Sequence, residues 1–168
     1  MIDIQFVDIN DEPIGAGTKE QALEQGIRHR ITRVILLNSS GEVLMHRRAD
    51  HLTSNPGKWS TVAGHVDDGE TYEQAAVREL HEEVGVRDVP LTEIGYYYHE
   101  DSTEATGKKS FCRVYSGKYD GEVIPNPAEV SEVKWVSKAD LDAWAEDDPK
   151  ELLGLGFIHA YKFVRKLL

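Results

Sequence analysis

The sequence has a single cysteine, so no internal disulfide can form. Cys112 lies in an apolar-rich run at 110–115, where it reads as a buried strand residue, since nothing near it in sequence would lower the pKa of a catalytic thiol. There is no run of about 18 apolar residues that would span a bilayer, and residues 1–5 lack a basic, apolar leader, which sets the expectation of a cytoplasmic protein with no membrane partner. Basic residues are scarce: 19 Lys and Arg stand against 30 Asp and Glu, for a formal charge of -11. That balance repels nucleic-acid backbones and anionic surfaces, so no nucleic-acid polymer is expected as a partner. Repeats, linkers and low-complexity tracts are also missing.

What is present suits one globular unit. With 40% hydrophobic and 29% charged residues over 168 positions, a single domain spanning 1–168 can bury its own core. Residues 2–9 alternate with a period near two, as a half-buried strand would, before a turn at 10–13. A short helix is expected over 19–25. The β-branched, nearly continuous apolar run at 31–37 reads as a central strand, turned by 38–41 into a hairpin partner over 42–46. After the turn at Asn55, Pro56 and Gly57, a short strand over 59–63 ends at Gly64. Thr71 with Gln74 forms a capping box, 72–84 is free of Gly and Pro, and Gly85 stands at the C-terminal cap, which marks a helix at both ends. Strands over 91–99 and 110–119 flank a polar loop at 100–109, and another strand occupies 133–136. Ser137 caps a helix over 138–145, and a terminal helix over 156–168 gathers Phe157, Ile158, Tyr161, Val164 and Leu168 on one face. Strands on both sides of a long helix, with helices closing the chain, predict an α/β fold with a mixed sheet packed between helices.

The chemistry concentrates at 64–86. On a helix of about 100° per residue, Glu79, Glu82 and Glu83 share one arc, while Val77, Leu80 and Val84 gather on another that can face a core. Like charges at this spacing repel, and they are relieved by open water or by a cation. Oxygen-only ligands favour Mg²⁺ or Mn²⁺ over zinc, and an acidic protein that handles phosphates needs such a cation. A glycine-containing loop, with Gly64 and Gly69, leads from a strand to the helix start, where backbone amides can approach phosphate oxygens. Arg78 lies beside the acidic ridge, placed to pair with Glu70.

These residues resemble the Nudix hydrolase signature: Gly, five residues, Glu, seven residues, Arg-Glu, an aliphatic residue, any residue, Glu-Glu, any residue, Gly and an aliphatic residue. Gly64, Glu70, Arg78, Glu79, Leu80, Glu82, Glu83, Gly85 and Val86 fill it without a substitution. The resemblance implies a Nudix-type α/β/α sandwich and hydrolysis of a pyrophosphate bond in a nucleoside diphosphate derivative or a related organic pyrophosphate, with Mg²⁺ or Mn²⁺ as cofactor. It implies Glu79, Glu82 and Glu83 as metal ligands with the Gly64 carbonyl as a further one. The general base lies in the box, at Glu82 or Glu83, or in a later loop, at Glu129 or Glu132. A homodimer is the family-level expectation.

A second, looser similarity points to the isopentenyl-diphosphate isomerase branch: His29, Arg47, Arg48, Pro56, Gly57, Trp59, Gly64, His65, and Glu129 six residues before Trp135. That branch implies a cysteine two residues before His65, where this chain has Ala63. One expected metal histidine appears as Ala22, and the phosphate-binding lysines fall on Leu52 and Thr53. His29, His65, Arg47 and Arg48 are the substrate-binding candidates, and Tyr96, Tyr97, Tyr98 and Phe111 are core residues or base-stacking partners. A third alternative is a nucleotide-binding Nudix module without turnover.

Overall fold

The computed structural model describes residues 3–100, 108–147 and 152–168. Residue 2 of the expected first strand and most of the expected loop at 100–109 lie outside the described residues.

The described elements are β1 (Ile4–Val7), β2 (Pro13–Gly17), α1 (Lys19–Glu24), β3 (His29–Leu37), β4 (Val43–Arg48), β5 (Trp59–Ser60), β6 (Ala63–His65), α2 (Tyr72–Val84), β7 (Thr92–Glu100), β8 (Lys109–Lys118), β9 (Val130–Val136), α3 (Lys138–Asp147) and α4 (Leu155–Leu167). The long apolar run becomes β3, the strand on which the sheet is organised. It pairs in parallel with β8 along its whole length, from His29 opposite Ser110 to Leu37 opposite Lys118. Its alternation serves two layers, as a strand buried on both faces requires. Val34 and Leu36 pack with Ala75, Ala76, Leu80 and Val84 of α2. Ile35 packs with Leu141 of α3 and with Phe157 and Val164 of α4. The result is the expected mixed sheet between helices.

Beyond the hairpin end, where Leu37 meets Val43, β3 and β4 diverge. β4 pairs instead with β9 and β5, and β6 pairs with β3 at Ile31–His65, Thr32–Gly64 and Arg33–Ala63. The single strand expected over 59–63 is therefore two short strands on different partners. The chain crosses the splayed sheet at Thr61 and Val62, and an apolar run carries no sign of such a change of partner. β2 was hidden behind Pro13, which an edge strand tolerates at its first residue because no ladder donor is needed there.

α2 begins and ends as its caps dictate. The Thr71 side chain accepts from the Gln74 amide while Gln74 closes on the Thr71 amide, and Gly85 takes the left-handed conformation at φ 70°. Its buried face differs from the one expected. Val77 is 48% exposed, whereas Ala75, Ala76, Glu79, Leu80, Glu83 and Val84 are buried. Two carboxylates thus belong to the inward face of the helix.

Candidate active site

Where β3 and β4 part, a cavity of about 420 Å³ opens between the two halves of the sheet. From α2, only Glu79 and Glu83 reach it. They are 8% and 2% exposed. Gly64 makes room for them: a Cβ there would come within 1.8 Å of Glu79 Oε1, so any side chain would displace the carboxylate. Glu83 Oε2 lies 3.4 Å from the Ala63 amide and 3.4 Å from His46 Nδ1. Glu129, the residue before β9, lines the same cavity and accepts from Asn126 Nδ2 at 3.4 Å.

The electrostatics follow from that burial. Desolvation, opposed by Arg78 and reinforced by Glu82 and Glu129, pushes Glu79 up to about 7. Burial, then the charges of Glu79 and Glu129, raise Glu83 well above the usual carboxylate range. Burial together with Arg48 and Arg33 holds His46 down to about 3. The His46–Glu83 contact is thus between an imidazole and a carboxyl group that both resist charging, and it is not an ion pair despite its spacing.

Arg78 organises the rim. Its Nε and Nη2 donate to the two oxygens of Glu70 at 2.9 Å, its Nη1 to Glu79 at 2.7 Å and Glu82 at 3.1 Å, and its Nη2 to the His65 carbonyl at 2.8 Å. The expected Arg78–Glu70 pair is present. Glu82 is held on the outside by Arg78 and does not line the cavity, so the three box glutamates do not converge as their shared arc suggested. Among the described residues no three His, Cys, Asp or Glu side chains form a ready metal cage. The first turn of α2 does not reach the cavity either, which corrects the expectation that the helix N-terminus would cradle phosphate.

The same cavity also carries cations. Lys19, Arg48 and Lys108 line it, and burial with repulsion from Lys108 and Arg48 lowers the Lys19 pKa. His29 and His65 line the same cavity with ring centroids 5.3 Å apart. Burial first, then His29, Lys19 and Lys108, bring His65 down to about 3. Arg47 instead turns outward to Asp50 at 2.9 Å and Ser131 at 3.2 Å, and Glu132 is exposed opposite it on β9, so neither joins the cavity. Tyr97 and Cys112 line the cavity, Cys112 as the expected buried strand residue, while Tyr96 is 68% exposed. Lys19, Lys108 and Arg33 were missed in sequence. Arg33 carried a signal, a cation in the middle of the apolar run at 31–37, and the lysines carried none.

A mixed sheet between helices, opened at one strand junction over a glycine-seated carboxylate pair, defines a Nudix-type domain. The chain belongs to the Nudix family: the NUDIX domain matches residues 27–154. Among its relatives, the uncharacterized Nudix hydrolase PA4841 of Pseudomonas aeruginosa is 34% identical over 79% of this chain and 77% of its own length. Isopentenyl-diphosphate Delta-isomerase 1 of Aromatoleum aromaticum is 32% identical over 94% and 85%. The crystal structure of DR0079 from Deinococcus radiodurans superposes with a TM-score of 0.79 at 26% identity, covering 98% of both chains. Relatives of comparable similarity thus carry both hydrolase and isomerase names.

Proposed function

We propose that this protein hydrolyses a pyrophosphate bond in a nucleoside diphosphate derivative or related organic pyrophosphate, using Mg²⁺ or Mn²⁺. The observation that carries this reading is the buried pair Glu79 and Glu83, seated on Gly64, in one cavity with Glu129 and the cations Lys19, Arg48 and Lys108. The donor set fits a hard divalent ion. It is all oxygen, Gly64 lines the cavity against Glu79, and the carboxylates are held above their usual pKa range because burial and mutual repulsion are not fully balanced by cations. Glu79, Glu83 and the Gly64 carbonyl would hold the ion, with Glu82 at the rim, and the ion supplies neutralisation of the diphosphate charge and acidification of water.

The remaining steps belong to the chain. Lys19, Arg48 and Lys108 bind phosphate oxygens by charge-assisted bonds. Arg78 fixes Glu79 by a bond of 2.7 Å. Glu129, beside the ligand pair rather than in it, takes the proton from the attacking water. His29 and His65, held toward the neutral state, contact the substrate as hydrogen-bonding groups.

The named isomerase relatives support a second reading, rearrangement of isopentenyl diphosphate without phosphate release. Ala63 opposes it, since it lines the cavity with a methyl group where that branch needs a thiol. Mass-resolved product analysis decides between them. Metal-dependent cleavage with uptake of water is the expected result, and a rearranged product of unchanged mass from isopentenyl diphosphate would establish the second reading instead.

A further inference from the structure

Away from Glu79 and Glu83, the cavity continues along β3 and β8 to the first turns of α4, and among apolar side chains its lining there holds a buried cation. Arg33 sits at this end, 5% exposed. Its Nη1 donates to Ser60 Oγ at 3.0 Å, the Thr61 carbonyl at 3.2 Å and Thr61 Oγ1 at 3.0 Å, all neutral oxygens. Its Nε is buried with no hydrogen-bond partner. Among the described residues no carboxylate lies within ion-pair distance of Arg33, the pairs present being formed by Arg30, Arg47, Arg78, Lys109, Arg113 and Arg165. A guanidinium withdrawn from water without a counter-charge is costly, and proteins keep such groups where a ligand supplies the missing charge or where the fold needs the bonds.

Two neighbours point to a ligand. Gly156 opens the first turn of α4 toward the guanidinium: a Cβ at that position would stand 2.6 Å from Arg33 Nη2. One turn further, His159 lines the same end and its Nε2 is buried with no hydrogen-bond partner. Tyr97 completes the wall, its hydroxyl donating to the Gly156 carbonyl at 3.1 Å, which fixes α4 against the sheet.

We propose that this end of the cavity receives an oxyanion, a carboxylate or a phosphate monoester, carried on the organic group of the diphosphate substrate. The inference rests on the hydrolase reading only in placing the diphosphate at the Glu79–Glu83 end. It makes the substrate anionic at both ends, and it excludes one whose organic group ends in a hydrocarbon, because that would bury Arg33 against methyl groups.

The test is calorimetric binding, with Ca²⁺ in place of Mg²⁺, of three matched series graded in chain length: methyl-ended alkyl diphosphates, ω-carboxyalkyl diphosphates and ω-phosphoalkyl diphosphates. At one or more lengths an acid-ended compound binds about tenfold tighter than its methyl-ended match, as a charge-assisted pair requires, and the better of the two acid series names the oxyanion. Arg33→Met brings that ratio to about one. Because Arg33 also anchors Ser60 and Thr61, Gly156→Ala serves as a second variant that displaces the guanidinium while keeping its charge, and it too lowers the ratio. The wild-type ratio stands by itself if either variant fails to fold. Methyl-ended compounds binding as well as or better than acid-ended ones at every length overturns the inference, whatever the turnover assays show. Loss of metal-dependent cleavage with the ratio intact overturns only the hydrolase reading, and absence of binding in all series overturns the inference while leaving the hydrolase reading to the cleavage assay.

Discussion

At the scale of single residues, the site is made by a glycine that yields space and an arginine that fills it with bonds. Gly64→Ala puts a methyl group where Glu79 Oε1 now lies, so the expected outcome is a folded protein with turnover down by about a hundredfold, a loss of the size seen when a metal site's geometry is disturbed. Circular dichroism and steady-state rates measured together check it; full activity would mean that Glu79 need not sit against Gly64. Glu79→Gln and Glu83→Gln should remove nearly all turnover, and Glu82→Gln, whose carboxylate faces solvent and Arg78, should cost less. An equal loss in all three would show that Glu82 swings inward. Arg78→Ala removes bonds to Glu70, Glu79, Glu82 and the His65 carbonyl together, and a loss of about 3 kcal/mol in urea unfolding is expected from several charge-assisted bonds that are only partly screened.

At the scale of elements, α2 shows what was legible and what was not. Its limits were written in Thr71, Gln74 and Gly85, because capping chemistry is local. Its inward face was misjudged through Val77, because apolarity predicts burial only when the buried face is apolar, and here Glu79 and Glu83 occupy that face. Leu80→Ala should therefore cost about 2 to 5 kcal/mol and Val77→Ala under about 1 kcal/mol in chemical unfolding. Comparable losses would restore Val77 to the core. The box residues were legible as a set, since their spacing is fixed by one helix and its preceding loop. Of their partners Glu129 was legible and Lys19, Lys108 and Arg33 were not, because these three come from three separate segments that only the sheet topology joins. The crossing at Thr61 and Val62 was equally hidden, since β5 and β6 differ in partner and not in composition. In α4 the buried line runs through Phe157, Ala160, Phe163 and Val164, whereas Ile158, Tyr161 and Leu168 are only half-buried, a rotation of the face that these three residues were enough to obscure.

At the scale of the molecule, a chain of formal charge -11 brings Lys19, Arg33, Arg48 and Lys108 into one cavity with the buried acids Glu79 and Glu83. That arrangement has a consequence for stability. Glu79, moved from an ordinary 4.5 up to about 7, binds more protons folded than unfolded between those values, so its contribution to stability declines as pH rises through them. His46 and His65, moved from 6.5 down to about 3, act in the other direction, and their contribution is lost as pH falls below 6.5. From pH 6.5 upward the carboxylates dominate, and a metal competes with their protons. Saturating Mg²⁺ should thus raise Tm more at pH 8 than at pH 6, and an equal rise would mean that Glu79 and Glu83 are not its ligands. Among the described residues no helix is long and apolar enough to cross a membrane. The central claim, metal-dependent hydrolysis at the Glu79–Glu83 pair, is tested most directly by incubating wild-type protein and Glu83→Gln with a panel of nucleoside diphosphate derivatives and organic diphosphates in H₂¹⁸O, with Mg²⁺ or with EDTA. Products are then weighed by mass spectrometry. The predicted result is ¹⁸O in one phosphate product, only with Mg²⁺ and only in the wild type; cleavage that persists in EDTA or in Glu83→Gln would contradict it.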